Sequence, residues 1–220
     1  MLLRRLRGLQ LLNIAAFALP VFLTPAVLAT TCKVTASCST DTCSADKIME
    51  GTLVNPESPK EASSIYDFQA RDINGEIVSL EKYKGHVCII VNVASQCGLT
   101  KNNYAELVEL DEQYGESKGL KILGFPCNQF GGQEPGSSSD ICSFVAKKNV
   151  KFDMFEKIDV NGDNVHPLYV YLKHKQGGVL GDFIKWNFTK FIIDKNGQPV
   201  ERHGPTTSPK DLVKSLEKYF

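Results

Sequence analysis

Val91-Asn92-Val93-Ala94-Ser95-Gln96-Cys97-Gly98-Leu99-Thr100 is the stretch from which the fold is read. An apolar run, Val87-Cys88-Ile89-Ile90-Val91, leads into it, and an amphipathic segment, residues 102–114, leads away. A strand that stops, a short turn holding one cysteine and a helix that starts leave a sulfur at a helix N-terminus. Unpaired backbone N–H groups and the positive end of the helix dipole there favour thiolate over thiol. The pattern therefore predicts Cys97 as a nucleophile.

Working outward, residues 86–93 are almost continuously apolar, as expected of a central strand buried on both faces of a sheet. Tyr104, Leu107, Val108, Leu110 and Tyr114 give the following helix an apolar stripe, and Lys118-Gly119 marks its end. Residues 120–125 form a second strand, so the succession implies a parallel pair joined by a right-handed crossover. Upstream, 65–70 and 76–80 alternate around Asp72-Ile73-Asn74-Gly75, a β-hairpin pattern. Downstream, 126–136 is a loop rich in glycine and amides, and the serines at 137–139 can cap a helix over 140–149. Another helix is expected over 166–174, after the turn Asn161-Gly162-Asp163. Residues 186–194 read as a strand, Lys195-Asn196-Gly197 as a turn and 199–203 as the antiparallel return, before Ser208-Pro209-Lys210-Asp211 opens a last helix. The order is β-α-β followed by β-β-α. This is an α/β chain on the thioredoxin-like plan, a central mixed β-sheet flanked by helices with an added N-terminal β-hairpin.

The N-terminal part reads differently. Arg4, Arg5 and Arg7 precede an uncharged apolar run over 9–29, and Val27 and Ala29 stand at the spacing of a small-residue cleavage site. Residues 1–29 are expected to be a secretory signal peptide and the protein secreted. The alternatives are a mitochondrial transit peptide, since no acidic residue appears before Asp41, and an uncleaved membrane anchor, which Pro20 and Pro25 in the apolar run disfavour. Residues 30–63 are polar, hold Cys32, Cys38 and Cys43, and are read as a flexible extension and linker, with the domain over 64–220. The cysteine spacing lacks a histidine nearby and is not a zinc pattern, so no metal is expected. With 25 basic and 25 acidic residues, a nucleic-acid partner has no electrostatic support.

Disulfide oxidoreductases on this plan carry C-x-x-C where the first strand meets its helix. Here the positions are Cys97-Gly98-Leu99-Thr100, and threonine replaces the second sulfur. A lone thiolate cannot close a local disulfide but can attack the O–O bond of a peroxide and become a sulfenic acid. In residues 92–100, in Gly124-Phe125-Pro126-Cys127-Asn128-Gln129-Phe130-Gly131-Gly132-Gln133-Glu134-Pro135-Gly136, and in Lys185-Trp186-Asn187-Phe188-Thr189-Lys190-Phe191, the chain resembles the glutathione peroxidases. It is most similar to the monomeric phospholipid-hydroperoxide type, with cysteine in place of selenocysteine.

That resemblance implies a peroxidase that needs no prosthetic group, reduces hydrogen peroxide and organic or phospholipid hydroperoxides, and is reset by glutathione or a thioredoxin-type reductant. It makes Cys97 peroxidatic and completes a tetrad with Gln133, Trp186 and Asn187, neutral donors that hold a thiolate without placing a base beside it. Thioredoxin-dependent members place a resolving cysteine where Val145 stands here, and Cys142, about one helical turn earlier, is the candidate substitute. The short segment between Leu180 and Trp186 implies a monomer with an open site. Lys101, Lys185 and Lys190, near the matched motifs, are candidates for contact with a lipid surface. Cys88 and Cys127 are expected to be packing residues. Asn187-Phe188-Thr189 is also an N-glycosylation sequon. Two other outcomes share the pattern: a redox relay that passes oxidation to a partner thiol, and a secreted lipid- or protein-binding module that keeps the fold without catalysis.

Overall fold

A computed structural model describes residues 52–178 and 181–220. The leader, Cys32, Cys38, Cys43, most of the linker and Leu180 lie outside the described residues.

The N-terminal hairpin is present as β1 (Gln69–Arg71) and β2 (Ile77–Ser79), paired antiparallel with Ala70 opposite Val78. It is shorter than the alternation in the sequence implies. Ile65–Asp67 is a 3₁₀ turn, because Ser64 Oγ accepts from Tyr66 N at 3.1 Å and the Asp67 carboxylate accepts from Ser63 N at 2.7 Å. Local side-chain bonds of this kind outcompete an extended backbone. The body of the protein also begins before Ser64: Val54 N donates to Gln69 Oε1, Gln69 N donates to Asn55 Oδ1, and Ala62 is buried.

β3 (Cys88–Val93) is buried at every position because it pairs on both edges. α1 (Thr100–Tyr114) carries the chain over to β4 (Lys121–Pro126), which runs parallel to β3 with Ile89 opposite Ile122. α2 (Ser138–Lys147) is opened by Ser137, which accepts from Asp140 N while the Asp140 carboxylate accepts from Ser137 N, the reciprocal capping arrangement. β5 (Asp153–Met154), two residues that no sequence pattern marked, adds to β4 in parallel. α3 (Pro167–Lys175) starts with His166 Nδ1 accepting from Leu168 N at 3.2 Å. β6 (Lys190–Ile193) lies antiparallel to β3, and β7 (Pro199–His203) returns along β6 before the short α4 (Val213–Leu216). The strand order is β5-β4-β3-β6-β7.

Alternation along β3 divides the core. Cys88 and Ile90 pack with the hairpin and with Leu168, Tyr169 and Leu172 of α3. Ile89, Val91 and Val93 pack with Tyr104, Leu107 and Leu110 of α1, Ile141 and Val145 of α2, and Leu216 of α4. Fully burying each of these aliphatic side chains is worth about 1.5–3 kcal/mol. The sheet thus has a helix layer on each face, and β3 ends by delivering the chain to Cys97 beside α1.

Candidate active site

The turn after β3 is closed by Thr100. Its Oγ1 accepts from Cys97 N at 3.1 Å and donates to Ala94 O at 2.6 Å, while Thr100 N donates to Cys97 O at 3.0 Å. Where C-x-x-C enzymes hold a second sulfur, this chain therefore has a hydroxyl that braces the first. Cys97 is 9% exposed and belongs to the core cluster that contains Val93, Ala94, Tyr104 and Phe188.

Two bonds tie this turn to the glycine- and amide-rich loop. Gln96 N donates to Gln133 O at 3.0 Å, and Ser95 Oγ donates to Glu134 Oε1 at 2.6 Å. The Glu134 backbone N–H is in turn taken by Asn128 Oδ1 at 2.9 Å. Glu134 is only 1% exposed, and its Oε2 has no protein partner. Burial raises its pKa against the lowering effect of the Ser95 bonds.

Residues 186–189 form a turn rather than the beginning of a strand. The aromatic and β-branched side chains there read as strand, but Phe188 has φ +61, which an extended strand excludes. Asn187 is fully buried, and its Nδ2 donates to Gln133 Oε1 at 2.9 Å. That bond orients the Gln133 carboxamide and leaves its Nε2 donors turned away from Asn187. The sequon asparagine is therefore not presented at the folded surface. Trp186 is 40% exposed, with its ring 5.9 Å from that of Phe130.

Of the four predicted tetrad residues, Gln133 and Asn187 meet directly, Cys97 follows Gln96, whose backbone N–H is bonded to Gln133 O, and Trp186 precedes Asn187 on the same turn. Cys142 lies on α2, partly buried against the core cluster that contains Cys97, and Cys88, Cys97 and Cys127 are free thiols. Val145, at the position of the relatives' resolving cysteine, is buried in the core. Cys88 and Cys127 are fully buried on the α3 side of the sheet, where burial pushes the Cys88 thiol up to about 12 and raises that of Cys127. Lys101 and Lys185 are exposed, with Lys185 Nζ 3.2 Å from the centre of the Phe183 ring. Lys190 departs from the expected surface role: it is fully buried, its Nζ donates to Thr207 O at 2.6 Å, and burial lowers its pKa to about 8. Reading the sequence missed Asn92, Ser95 and Glu134 as parts of the site. A single asparagine inside a wholly apolar strand was the available signal for the first.

A family model described as Glutathione peroxidase matches residues 65–173. The phospholipid hydroperoxide glutathione peroxidase of Sapajus apella is 56% identical over 161 residues, covering 72% of this chain and 81% of that relative. The crystal structure of T. cruzi GPX1 is 40% identical, with a TM-score of 0.60 over 71% of this chain and 96% of that one. A thioredoxin-family thiol:disulfide interchange protein of Chlorobium tepidum TLS, 15% identical with a TM-score of 0.52 over 69% of this chain and 92% of that one, shares the fold alone. The sheet order is thus thioredoxin-like, and identity above half across most of the described domain shows that the chain belongs to the glutathione peroxidase family.

Proposed function

We propose that this chain is a thiol peroxidase in which Cys97 reduces hydrogen peroxide and organic or phospholipid hydroperoxides. The observation that carries the reading is the bonded convergence of the Cys97 turn, the Gln133 loop and the Asn187 turn, through Gln96 N to Gln133 O and Asn187 Nδ2 to Gln133 Oε1. The Cys97 thiolate attacks the terminal oxygen of the hydroperoxide, the O–O bond breaks, and a sulfenic acid and an alkoxide form. The alkoxide takes a proton and leaves as the alcohol, or as water when the substrate is hydrogen peroxide. The Gln133 amide and the Trp186 indole N–H supply neutral donors for the thiolate and for the developing alkoxide.

Reset proceeds through an external thiol. One glutathione condenses with the sulfenic acid to give a mixed disulfide and water, and a second releases the Cys97 thiol with glutathione disulfide. A valine at position 145, where thioredoxin-dependent relatives hold a resolving cysteine, supports this route over an internal resolving sulfur. Phe183, 54% exposed, and the exposed Lys185 and Trp186 form an amphipathic edge that supports contact with bulky lipid hydroperoxides, with Lys101 as a further cation. The protein acts as a monomer in a secreted setting.

Steady-state turnover of hydrogen peroxide and a phospholipid hydroperoxide, with glutathione or thioredoxin as reductant, tests this reading. Cys97→Ser is expected to fall to the uncatalysed rate, whereas Cys142→Ser keeps the glutathione-supported rate. Turnover that survives Cys97→Ser would refute the proposal. Loss of only the thioredoxin-supported rate in Cys142→Ser would assign resolution to that sulfur.

A further inference from the structure

We infer that Asn92 is a positioning residue for the peroxidatic site, acting through the turn that carries Trp186 and Asn187. Its side chain is a fully buried amide in a strand whose other residues are apolar or a thiol. A buried carboxamide is retained at such a position only when its donors and acceptor are used. Here they are used on one target. Asn92 Nδ2 donates to Trp186 O at 3.2 Å, Asn92 Oδ1 accepts from Thr189 N at 3.0 Å, and Asn92 O accepts from Phe188 N at 2.7 Å. Thr189 Oγ1 adds a second donor to Trp186 O at 3.2 Å.

The target needs holding. Phe188 is a bulky residue at φ +61, a conformation that L residues other than glycine adopt at a cost of roughly 1–2 kcal/mol. The Asn92 bonds span the turn on both sides of that residue, so they oppose its relaxation toward an extended backbone. Relaxation would carry Asn187 away from Gln133 and swing the indole of Trp186. The same strand that delivers Cys97 thus also sets the register of the donors on the opposite segment, five residues upstream of the sulfur.

The inference rests on the proposed roles of Cys97 and Trp186, and the test separates the two. Trp186 is the single tryptophan in the chain, so intrinsic emission reports on this turn. Asn92→Asp keeps the shape and the acceptor but loses the donor to Trp186 O, and Thr189→Val removes the second donor while keeping the backbone bonds. The rate of Cys97 oxidation by hydrogen peroxide, followed by mass spectrometry of quenched samples, and Trp186 emission and anisotropy are measured for the parent, both variants and Cys97→Ser. Each variant is expected to lose about tenfold or more in oxidation rate, in the range a displacement of about 1 Å costs, together with a changed Trp186 signal and unchanged far-ultraviolet dichroism. If Asn92→Asp does not fold, Asn92→Ser, which draws the side chain back from both partners without adding a charge, carries both readouts. A folded Asn92 variant that reacts at the parental rate, or one that loses rate with parental Trp186 emission and anisotropy, overturns the inference. Peroxide-dependent oxidation that is unchanged in Cys97→Ser overturns the underlying reading instead.

Discussion

Glu134 is the residue at which the site and the stability of the protein meet. Its carboxyl is buried beside Ser95, one residue from Gln133, and burial raises its pKa above that of an unfolded glutamate. The folded chain therefore keeps a proton on Glu134 that the unfolded chain gives up. That contribution to stability is complete below the ordinary glutamate range and is lost as pH rises from there through the raised value. Glu134→Gln retains an acceptor for Ser95 Oγ and cannot ionise. Urea denaturation at a series of pH values is expected to show parental stability falling relative to the variant across that interval, and parallel curves would contradict the assignment. The two site residues differ in how far the sequence displayed them. Cys97 was legible because a lone sulfur between an apolar strand and a helix has few other uses. Glu134 was not, because a glutamate between Gln133 and Pro135 in a polar loop looks like a solvated side chain.

At the scale of elements, the turn between β6 and β7 shows how tertiary packing can demand a particular residue. Gly197 has φ +78, and a Cβ there would stand 2.8 Å from Cε2 of Tyr66. Ile65 N donates to Gly197 O at 3.0 Å and Tyr66 OH to Lys195 O at 2.8 Å, so the turn is clamped to the N-terminal segment and cannot retreat. Gly197→Ala is expected to lower stability by roughly 1–2 kcal/mol from the backbone alone, with further loss from the Tyr66 clash. Its peroxide reaction should be parental, because this turn follows the end of β6 remote from Trp186. Thermal denaturation alongside the oxidation rate checks both halves. Elements whose signal is local were legible: the continuous apolar run of β3, the stripe of α1 and the Ser137 cap of α2 follow from the side chains themselves. Elements set by distant partners were not. The 186–189 turn carries strand-forming residues and is bent by bonds from Asn92, 94 residues before Trp186. β5 is two residues long and exists only because β4 offers it an edge.

For the whole molecule, the sheet sorts the thiols. Cys88 and Cys127 are fully buried in the cluster on the α3 side, and Cys97 lies in the cluster on the α1 side, where it keeps 9% exposure and adjoins the Gln133 loop. The three free thiols among the described residues thus have unequal access to a peroxide, and burial raises the pKa of the two remote ones. The overall plan was legible because strand order follows from the succession of periodicities. The partition of the cysteines between faces required the register, which places Cys88 and Ile89 on opposite sides. The most direct measurement treats the reduced protein with one equivalent of hydrogen peroxide in the presence of dimedone, then maps the adduct by peptide mass spectrometry. A sulfenic-acid adduct is expected on Cys97, with Cys88 and Cys127 unmodified; an adduct on either of those thiols, or peroxide consumed with Cys97 left as a thiol, would contradict the peroxidatic role of Cys97.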